Sequence, residues 1–416
     1  MKEKIGILSL GCPRNLVDSE NILGRLKRKG FSVSDDITKA DVALVNTCSF
    51  IEDARKESIE AILDLVELKK EGKLRKIIVY GCLAQRYKDE LRKSLPEVDA
   101  FVGKVSLNHE TQRFPLTPKH YAYLKICEGC INNCSFCVIP KIKGRFRSLD
   151  TASLLKKVEA FNRQKISELN IIGQDITGYG MDNYGGARLA WLIKRILKSA
   201  PDIRWLRLLY LYPSRVNEEL LRLIAAEPQL CRYIDLPIQH INGRILKLMR
   251  RKTGRADILK VIAKARSIIP GVALRTSLIV GFPSETDKEF DELLKFVEEA
   301  RFERLGVFIY SPEEGTSAYD FKPQVPQKVK EERFNRIMSA QQQISREINN
   351  GFLGKFVDVL IEEKDNGYYL GRIRQDAPEV DGQVFVRSVK NIKPGDFVKV
   401  KITDTLEYDL IGEVQE

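Results

Sequence analysis

The sequence predicts an α/β chain in three parts: an N-terminal parallel α/β sheet domain, a central partial (β/α)6 barrel and a C-terminal small antiparallel OB-like β-barrel. Three observations carry this expectation. Short β-rich apolar runs at 4–10, 41–46 and 76–80 alternate with amphipathic stretches of helical period, and six more strand and helix alternations follow residue 119. Five short strands of period two then crowd the residues after 351.

At 416 residues the chain exceeds one average domain, and a hydrophobic content of 43% can fill more than one core. Its 69 Lys and Arg against 57 Asp and Glu give a net charge of +12. That balance suits a nucleic acid or ribonucleoprotein partner, or solubility alone. No apolar run approaches the roughly 18 residues of a membrane span. The opening Met-Lys-Glu-Lys-Ile-Gly-Ile-Leu-Ser-Leu-Gly-Cys reads as a first strand rather than an export signal. The chain is expected to be cytoplasmic, without a membrane partner. There its eight cysteines imply metal or redox chemistry before disulfides.

In the first part, residues 1–105, each apolar run ends in a cysteine: Leu10-Gly11-Cys12, Asn46-Thr47-Cys48 and Tyr80-Gly81-Cys82. The three lie about one β-α unit apart. In open α/β sheets the ligand site lies beyond the carboxyl ends of the strands. One cysteine there is by default a small buried hydrophobe. Three in successive units point to a three-thiolate site with an open metal position.

Residues 106–118, with Pro115 and Pro118, have no periodicity and read as a linker. Residues 119–325 then supply strand candidates at 121–126, 168–173, 205–210, 233–237, 272–281 and 305–310. Helical patterns separate them at 151–164, 187–199, 216–226, 256–267 and 286–300. Six units make a partial barrel, whose chemistry belongs at the strand C-termini. After the first strand comes Cys127-Glu-Gly-Cys130-Ile-Asn-Asn-Cys134-Ser-Phe-Cys137. Cys130, Cys134 and Cys137 offer three thiolates, the ligand type of iron–sulfur clusters. A four-iron cluster held by three would keep one iron open for substrate or cofactor. A four-sulfur zinc site that includes Cys127 is the competing reading. It is cramped, since zinc ribbons usually separate their two cysteine pairs by roughly 15–20 residues. Cys231 follows a helical stretch and reads as a packed thiol.

Pro323 and Pro326 mark a boundary, and a polar connecting helix is expected over 326–350. The last part, 351–416, offers strands at 356–362, 368–373, 383–388, 396–403 and 408–414. It carries nine Lys and Arg against thirteen Asp and Glu, so the rest of the chain bears the whole positive excess. An RNA grip should be basic, so this module suits a basic partner such as a ribosomal protein, or is simply a solvated surface.

These residues resemble a known family. C-x3-C-x2-C with Phe136 before the last cysteine is similar to the radical SAM signature. Joined to a three-cysteine first domain and a TRAM-like terminal barrel, it resembles the radical SAM methylthiotransferases over the whole chain. Within that family, Gly11-Cys12-Pro13-Arg14-Asn15-Leu16-Val17-Asp18-Ser19-Glu20 and Asp376-Ala377-Pro378-Glu379-Val380-Asp381-Gly382 look like the branch that modifies an aspartate of small-subunit ribosomal protein S twelve.

The resemblance implies two [4Fe-4S] clusters and S-adenosyl-L-methionine (SAM). Cys130, Cys134 and Cys137 would hold the cluster that generates the radical. Cys12, Cys48 and Cys82 would hold an auxiliary cluster that delivers sulfur. Phe136, Gln174, Asp175, Arg275 and Ser277 would contact the cofactor. The implied partners are the ribosomal protein, free or in the ribosome, and an electron donor such as flavodoxin or ferredoxin, with the enzyme a monomer. Cys127 stands where the family usually has a small non-cysteine residue and is expected to be a bystander. His109, His120 and His240 read as structural or surface residues, although His240 near a strand end could line the site. Two alternatives remain: the same chemistry on a tRNA adenosine, and a zinc-containing ribosome-associated RNA-binding factor.

Overall fold

The computed structural model describes residues 3–34, 36–105 and 113–415. His109 and residues 106–112 of the expected linker lie outside the described residues.

Five parallel strands form the first sheet: β1 (Lys4–Ser9), β2 (Ser32–Ser34), β3 (Val42–Thr47), β4 (Lys76–Gly81) and β5 (Ala100–Val102), in the order β2-β1-β3-β4-β5. β3 is buried along its whole length. Its Val-Ala-Leu-Val-Asn-Thr run therefore shows no alternation, as expected for a strand covered on both faces. Helices α1 (Pro13–Arg28), α2 (Glu52–Lys70), α3 (Cys82–Arg86) and α4 (Lys88–Ser94) complete this domain. Pro13 opens α1, where a missing backbone N–H costs nothing.

The central strands are β6 (Tyr121–Lys125), a short hairpin of β7 (Cys127–Glu128) and β8 (Arg147–Ser148), then β9 (Glu168–Ile172), β10 (Trp205–Leu208), β11 (Tyr233–Asp235), β12 (Ala273–Val280) and β13 (Arg304–Ile309). Two parallel sheets, β10-β9-β6 and β11-β12-β13, adjoin through a bridge between Leu206 and Leu230 and a bond from Leu211 N–H to the Asp235 carbonyl (3.0 Å). The helices are α5 (Ile139–Lys143), α6 (Thr151–Arg163), α7 (Leu189–Ser199), α8 (Glu218–Ala226), α9 (Gly243–Leu248), α10 (Arg255–Ile268) and α11 (Asp287–Ala300), followed by α12 (Gln327–Asn350). None of the described helices is long and apolar enough to cross a membrane.

Period two divides the strand residues between two environments. Leu124, Leu169, Ile171, Leu208, Ile234 and Leu274 face outward into the core shared with the helices. Tyr121, Tyr123, Ile172, Trp205 and Tyr233 face inward, with Val17 of α1 at one end and Leu360 and Ala377 at the other.

The last five strands, β14 (Phe356–Asp365), β15 (Tyr368–Ile373), β16 (Val384–Arg387), β17 (Phe397–Thr405) and β18 (Leu410–Val414), close a barrel. Its pairs are antiparallel except β16 with β18. This barrel docks on the amino ends of the central strands. Tyr121 donates to Glu379 (2.7 Å), Tyr233 to Asp381 (2.6 Å), Arg304 to Asp376 (2.6 Å) and Arg372 to Glu168 (2.6 Å). The acidic excess of the module is therefore partly internal. Glu362, Asp376, Glu379 and Asp381 are spent on its junction or its own Arg372, so its outer surface is closer to neutral than its composition suggests. That weakens the charge argument for a basic partner.

Glu168 is the centre of the junction, fully buried between Arg207 (2.8 Å) and Arg372 (2.6 Å). Burial alone would raise its carboxyl pKa, but the two guanidiniums hold it below the usual range. Removing one member of a buried pair costs about 3–5 kcal/mol, because the partner charge stays behind. Glu168→Ala is expected to lower unfolding stability by about that amount, read from the urea midpoint by tryptophan fluorescence.

Candidate metal centres and cofactor site

The first three cysteines sit at the carboxyl ends of adjacent strands. Cys12 caps α1 after β1, Cys48 follows β3, and Cys82 opens α3 after β4. Close backbone approach gathers them. A Cβ on Gly11, whose φ is +86°, would lie 2.7 Å from Cys48 Cβ and 3.0 Å from its Sγ. Only glycine lets the Cys12 turn come so near. Asn15 ties the three ends together. Its Nδ2 donates to the carbonyls of Leu10 (3.1 Å) and Thr47 (3.3 Å), and its Oδ1 accepts from Cys82 Sγ (3.8 Å). Ser58 Oγ accepts from Cys48 N–H and donates to its carbonyl, each at 3.0 Å.

The second set lies in the loop after β7. Asn132 Nδ2 donates to Cys130 Sγ (3.5 Å), and Arg251 Nη1 donates to Cys134 Sγ (3.6 Å). Ser135 anchors the loop from both sides: its N–H donates to the Met249 carbonyl (3.1 Å) and its carbonyl accepts from Ala318 N–H (2.8 Å). Cys127 is turned away. It is fully buried, its Sγ donates to the Asp175 carbonyl (3.6 Å), and it packs against Gly173 so closely that a Cβ there would collide with it.

Among the described residues, no three His, Cys, Asp or Glu side chains are gathered as they would be around a single metal ion. A cubane is larger, and spreads its thiolates over different irons. Donor chemistry fits that group. Each set offers three thiols with a guanidinium beside one of them, Arg14 Nε at 3.4 Å from Cys12 and Arg251 beside Cys134. Burial pushes the Cys82 and Cys137 thiols up to about 12 and raises those of Cys48 and Cys130. For Cys12 burial acts in the same direction and is the largest single influence, but the Arg14 charge, hydrogen bonds from Asn15 N–H and Arg14, and the Lys143 charge together outweigh it and leave the thiol below its ordinary value. Metal binding replaces these protons, because the thiolate is the ligand.

The two sets lie on the two sides of the domain seam. Cys82 packs with Val138, which directly follows Cys137 in the chain, and with Ile142 of α5. Beneath this contact lies a buried charge cluster: Lys125 pairs with Asp18 and with Glu128 (2.6 Å), and Lys143 with Asp18 (3.3 Å). Farther along the seam Arg86 pairs with Glu313 (2.7 Å). Arg14 spans the seam directly, donating to the Gly173 carbonyl (3.0 Å) and lying over the Tyr210 ring at 4.6 Å.

The other expected contacts are placed unequally. Phe136 packs among Ile245, Met249, Ile279, Phe282 and Tyr310. Gln174 carries both amide atoms buried without a partner, an arrangement that costs energy unless a ligand supplies the bonds. Asp175 has its oxygens occupied by Asn132 (2.7 Å), Arg215 and Thr177 N–H (3.1 Å). Arg275 projects inward but meets Asp235 (3.2 Å) and Asp381 (3.3 Å). Ser277 lies two residues on along β12, on the same inward face. His240 is fully buried rather than at the surface, and its ring feels Glu289, Arg333 and Arg244 rather than the thiols. Sequence reasoning missed Asn132, Arg215 and Arg251. Asn132 lies inside the cysteine run and could have been noticed; the two arginines come from distant loops with no local signal.

Family models match in three places: Uncharacterized protein family UPF0004 over residues 4–103, Radical SAM superfamily over 124–297 and TRAM domain over 353–414. Among solved structures, the radical S-adenosylmethionine methyltransferase TsrM from Kitasatospora setae superposes with a TM-score of 0.50 at 14% identity, over 75% of this chain and 77% of that one. The cobalamin-dependent S-adenosylmethionine radical enzyme OxsB gives 0.51 at 13%, over 82% and 58%. These likenesses show a shared fold. Together with the cysteine motif and the matched models, they define a radical SAM enzyme with a TRAM barrel.

Curated relatives narrow this further. Proteins named ribosomal protein uS12 methylthiotransferase RimO are 46% identical in Geotalea uraniireducens, over 100% of this chain and 99% of the relative, and 46% in a Thermoanaerobacter species, over 99% and 100%. The one from Caldanaerobacter subterraneus is 47% identical, over 98% and 99%. The chain belongs to the radical SAM methylthiotransferase family, in its RimO group.

Two outcomes follow from the side chains described. Cys127→Ala should keep the iron content and visible absorbance of the reconstituted protein; loss of a whole cluster would place Cys127 among the ligands. His240 has its pKa lowered to about 3 by burial, so the unfolded chain takes up a proton near 6.5 that the native state refuses. Acidification below pH 6.5 should therefore cost up to about 1.4 kcal/mol per pH unit from this group. Urea unfolding of His240→Gln should show a shallower acid limb.

Proposed function

We propose that this enzyme replaces a hydrogen on the β-carbon of an aspartate in ribosomal protein uS12 with a methylthio group, using two [4Fe-4S] clusters and SAM. The observation that carries the reading is the contact of Cys82, from the first three-thiol set, with Val138 and Ile142, just after Cys137 of the second. An unactivated C–H bond offers no proton that a His or Glu could usefully remove at neutral pH, so a cofactor must supply the reactivity. Bound at Cys130, Cys134 and Cys137, a cluster with an open iron supplies one-electron cleavage of SAM, and one at Cys12, Cys48 and Cys82 supplies the sulfur.

The remaining residues bind and orient. Gln174, with its unpartnered amide, suits the polar end of SAM, and Phe136 and Ser277 are assigned to the same cofactor. Asp175 and Arg275 act through neighbours: Asp175 holds Asn132 toward Cys130, and Arg275 links the barrel interior to the terminal module. Arg251 and Arg14 balance the negative charge that bound thiolates would bring. We assign residues 1–105 to the sulfur-delivering domain, 106–118 to a linker, 119–325 to the radical barrel, 326–350 to a connecting helix and 351–416 to the TRAM barrel. A cytoplasmic monomer served by flavodoxin or ferredoxin completes the reading.

The test has two arms. Anaerobic iron and sulfide analysis of reconstituted protein should approach eight irons per chain, and zinc without iron would remove the enzyme reading. Incubation with SAM, reductant and either a peptide around the uS12 aspartate or unmodified tRNA should add a methylthio mass to the peptide. Modification of tRNA alone would assign the substrate to nucleic acid.

A further inference from the structure

Arginines that project into the central barrel from its strands are each matched by a carboxylate: Arg207 by Glu168, Arg275 by Asp235 and Asp381, Arg304 by Asp376. Arg14 reaches the same interior from α1 and has no carboxylate partner among the described residues. Its Nε donates to Cys12 Sγ (3.4 Å), one Nη1 hydrogen goes to the Gly173 carbonyl (3.0 Å), and its plane rests on Tyr210 (4.6 Å). A guanidinium carries five N–H donors, so the outer edge of Arg14 keeps hydrogens for a ligand. The residue as a whole is half-buried.

Position sharpens the argument. The charge of Arg14 is felt at Cys12 and Cys48 on one side of the seam and at Cys137 on the other. A carbon that loses hydrogen at one three-thiol site and gains sulfur from the other must sit between the two. The carboxylate of a target aspartate is one bond from that carbon. Arg251, the arginine beside Cys134, serves a single site, and its Nη2 is spent on the Pro237 carbonyl (2.6 Å).

We propose that Arg14 is the positioning residue that receives the side-chain carboxylate of the target aspartate, and that it selects a carboxylate over an amide at that place. This rests on the function proposed above. The planar fork of arginine suits the two oxygens of a carboxylate, whereas the neutral amide of asparagine gains far less from the charge. Gly11 admits the tight turn before Cys12, and the guanidinium carbon of Arg14 lies over the Tyr210 ring.

The test measures binding by the reconstituted full-length protein with SAM but without reductant. Fluorescent peptides carrying the target aspartate, or asparagine in its place, report affinity by anisotropy. The wild type should prefer the aspartate peptide. Arg14→Gln should weaken that peptide at least tenfold while leaving the asparagine peptide unchanged, and Arg14→Lys should restore part of the preference. Iron content and the electron paramagnetic resonance spectrum of each reduced cluster are recorded in parallel. If Arg14→Gln loses iron, Arg14→Lys decides: undiminished preference overturns the proposal, because a lysine ammonium cannot reproduce the fork. Altered cluster spectra with an unchanged aspartate preference would make Arg14 a counter-charge only and overturn it too. Failure of the wild type to bind or modify the aspartate peptide would instead overturn the substrate reading itself.

Discussion

The reactive region depends on a set of buried charges, Asp18, Lys125, Glu128 and Lys143, that locks the first helix of one domain onto the mouth of the next. Charges taken out of water are costly unless their geometry is matched, so such a cluster tolerates only a narrow range of docking positions. Its value here is register. Asp18 lies on α1 behind Cys12, and Lys143 ends α5 behind Cys137. Fixing one charge against the other fixes the two thiol sets, and everything placed between them, at a constant separation.

Parallel strands explain the rest of the arrangement. Both α/β units deliver loops to the carboxyl ends of their strands, so two such units meeting at those ends create one shared space. The opposite end of the central barrel has no such use, and the terminal module covers it. There the inward row of polar side chains, Glu168, Arg207, Tyr233 and Arg304, finds partners on the last domain. A floor closed by ion pairs keeps bulk solvent out of the barrel interior, which leaves polar groups at its mouth in a drier setting.

Much of this was legible in the sequence where chemistry repeats at a regular spacing. The three strand-end cysteines, the C-x3-C-x2-C run and the alternation of strand and helix carry local signals, and the strands stand close to where periodicity put them. Elements of two or three residues, such as β2, β5 and the β7–β8 hairpin, are too short to display a period. Arg215 and Arg251 act across loops far apart in the chain, so no window contains their interactions, whereas the Asn132 bond to Cys130 spans only two residues. Charge counting overstates the acidity of the terminal barrel's surface for a related reason: composition cannot separate an acid facing water from Asp376 or Asp381 facing an arginine. His240 shows the same limit, since a histidine near a strand end can face the mouth or the outer helices, and only packing decides.

Docking of the terminal barrel also bears on how the protein is made. Tyr121, Tyr233 and Arg304 find their partners at Glu379, Asp381 and Asp376, close to the end of the chain. During synthesis the central barrel emerges with these interior groups unmet, and it cannot close its floor until the last module has left the ribosome. A chain cut before Asp376 would therefore leave Tyr121, Tyr233 and Arg304 without these partners and present an open, wet barrel floor.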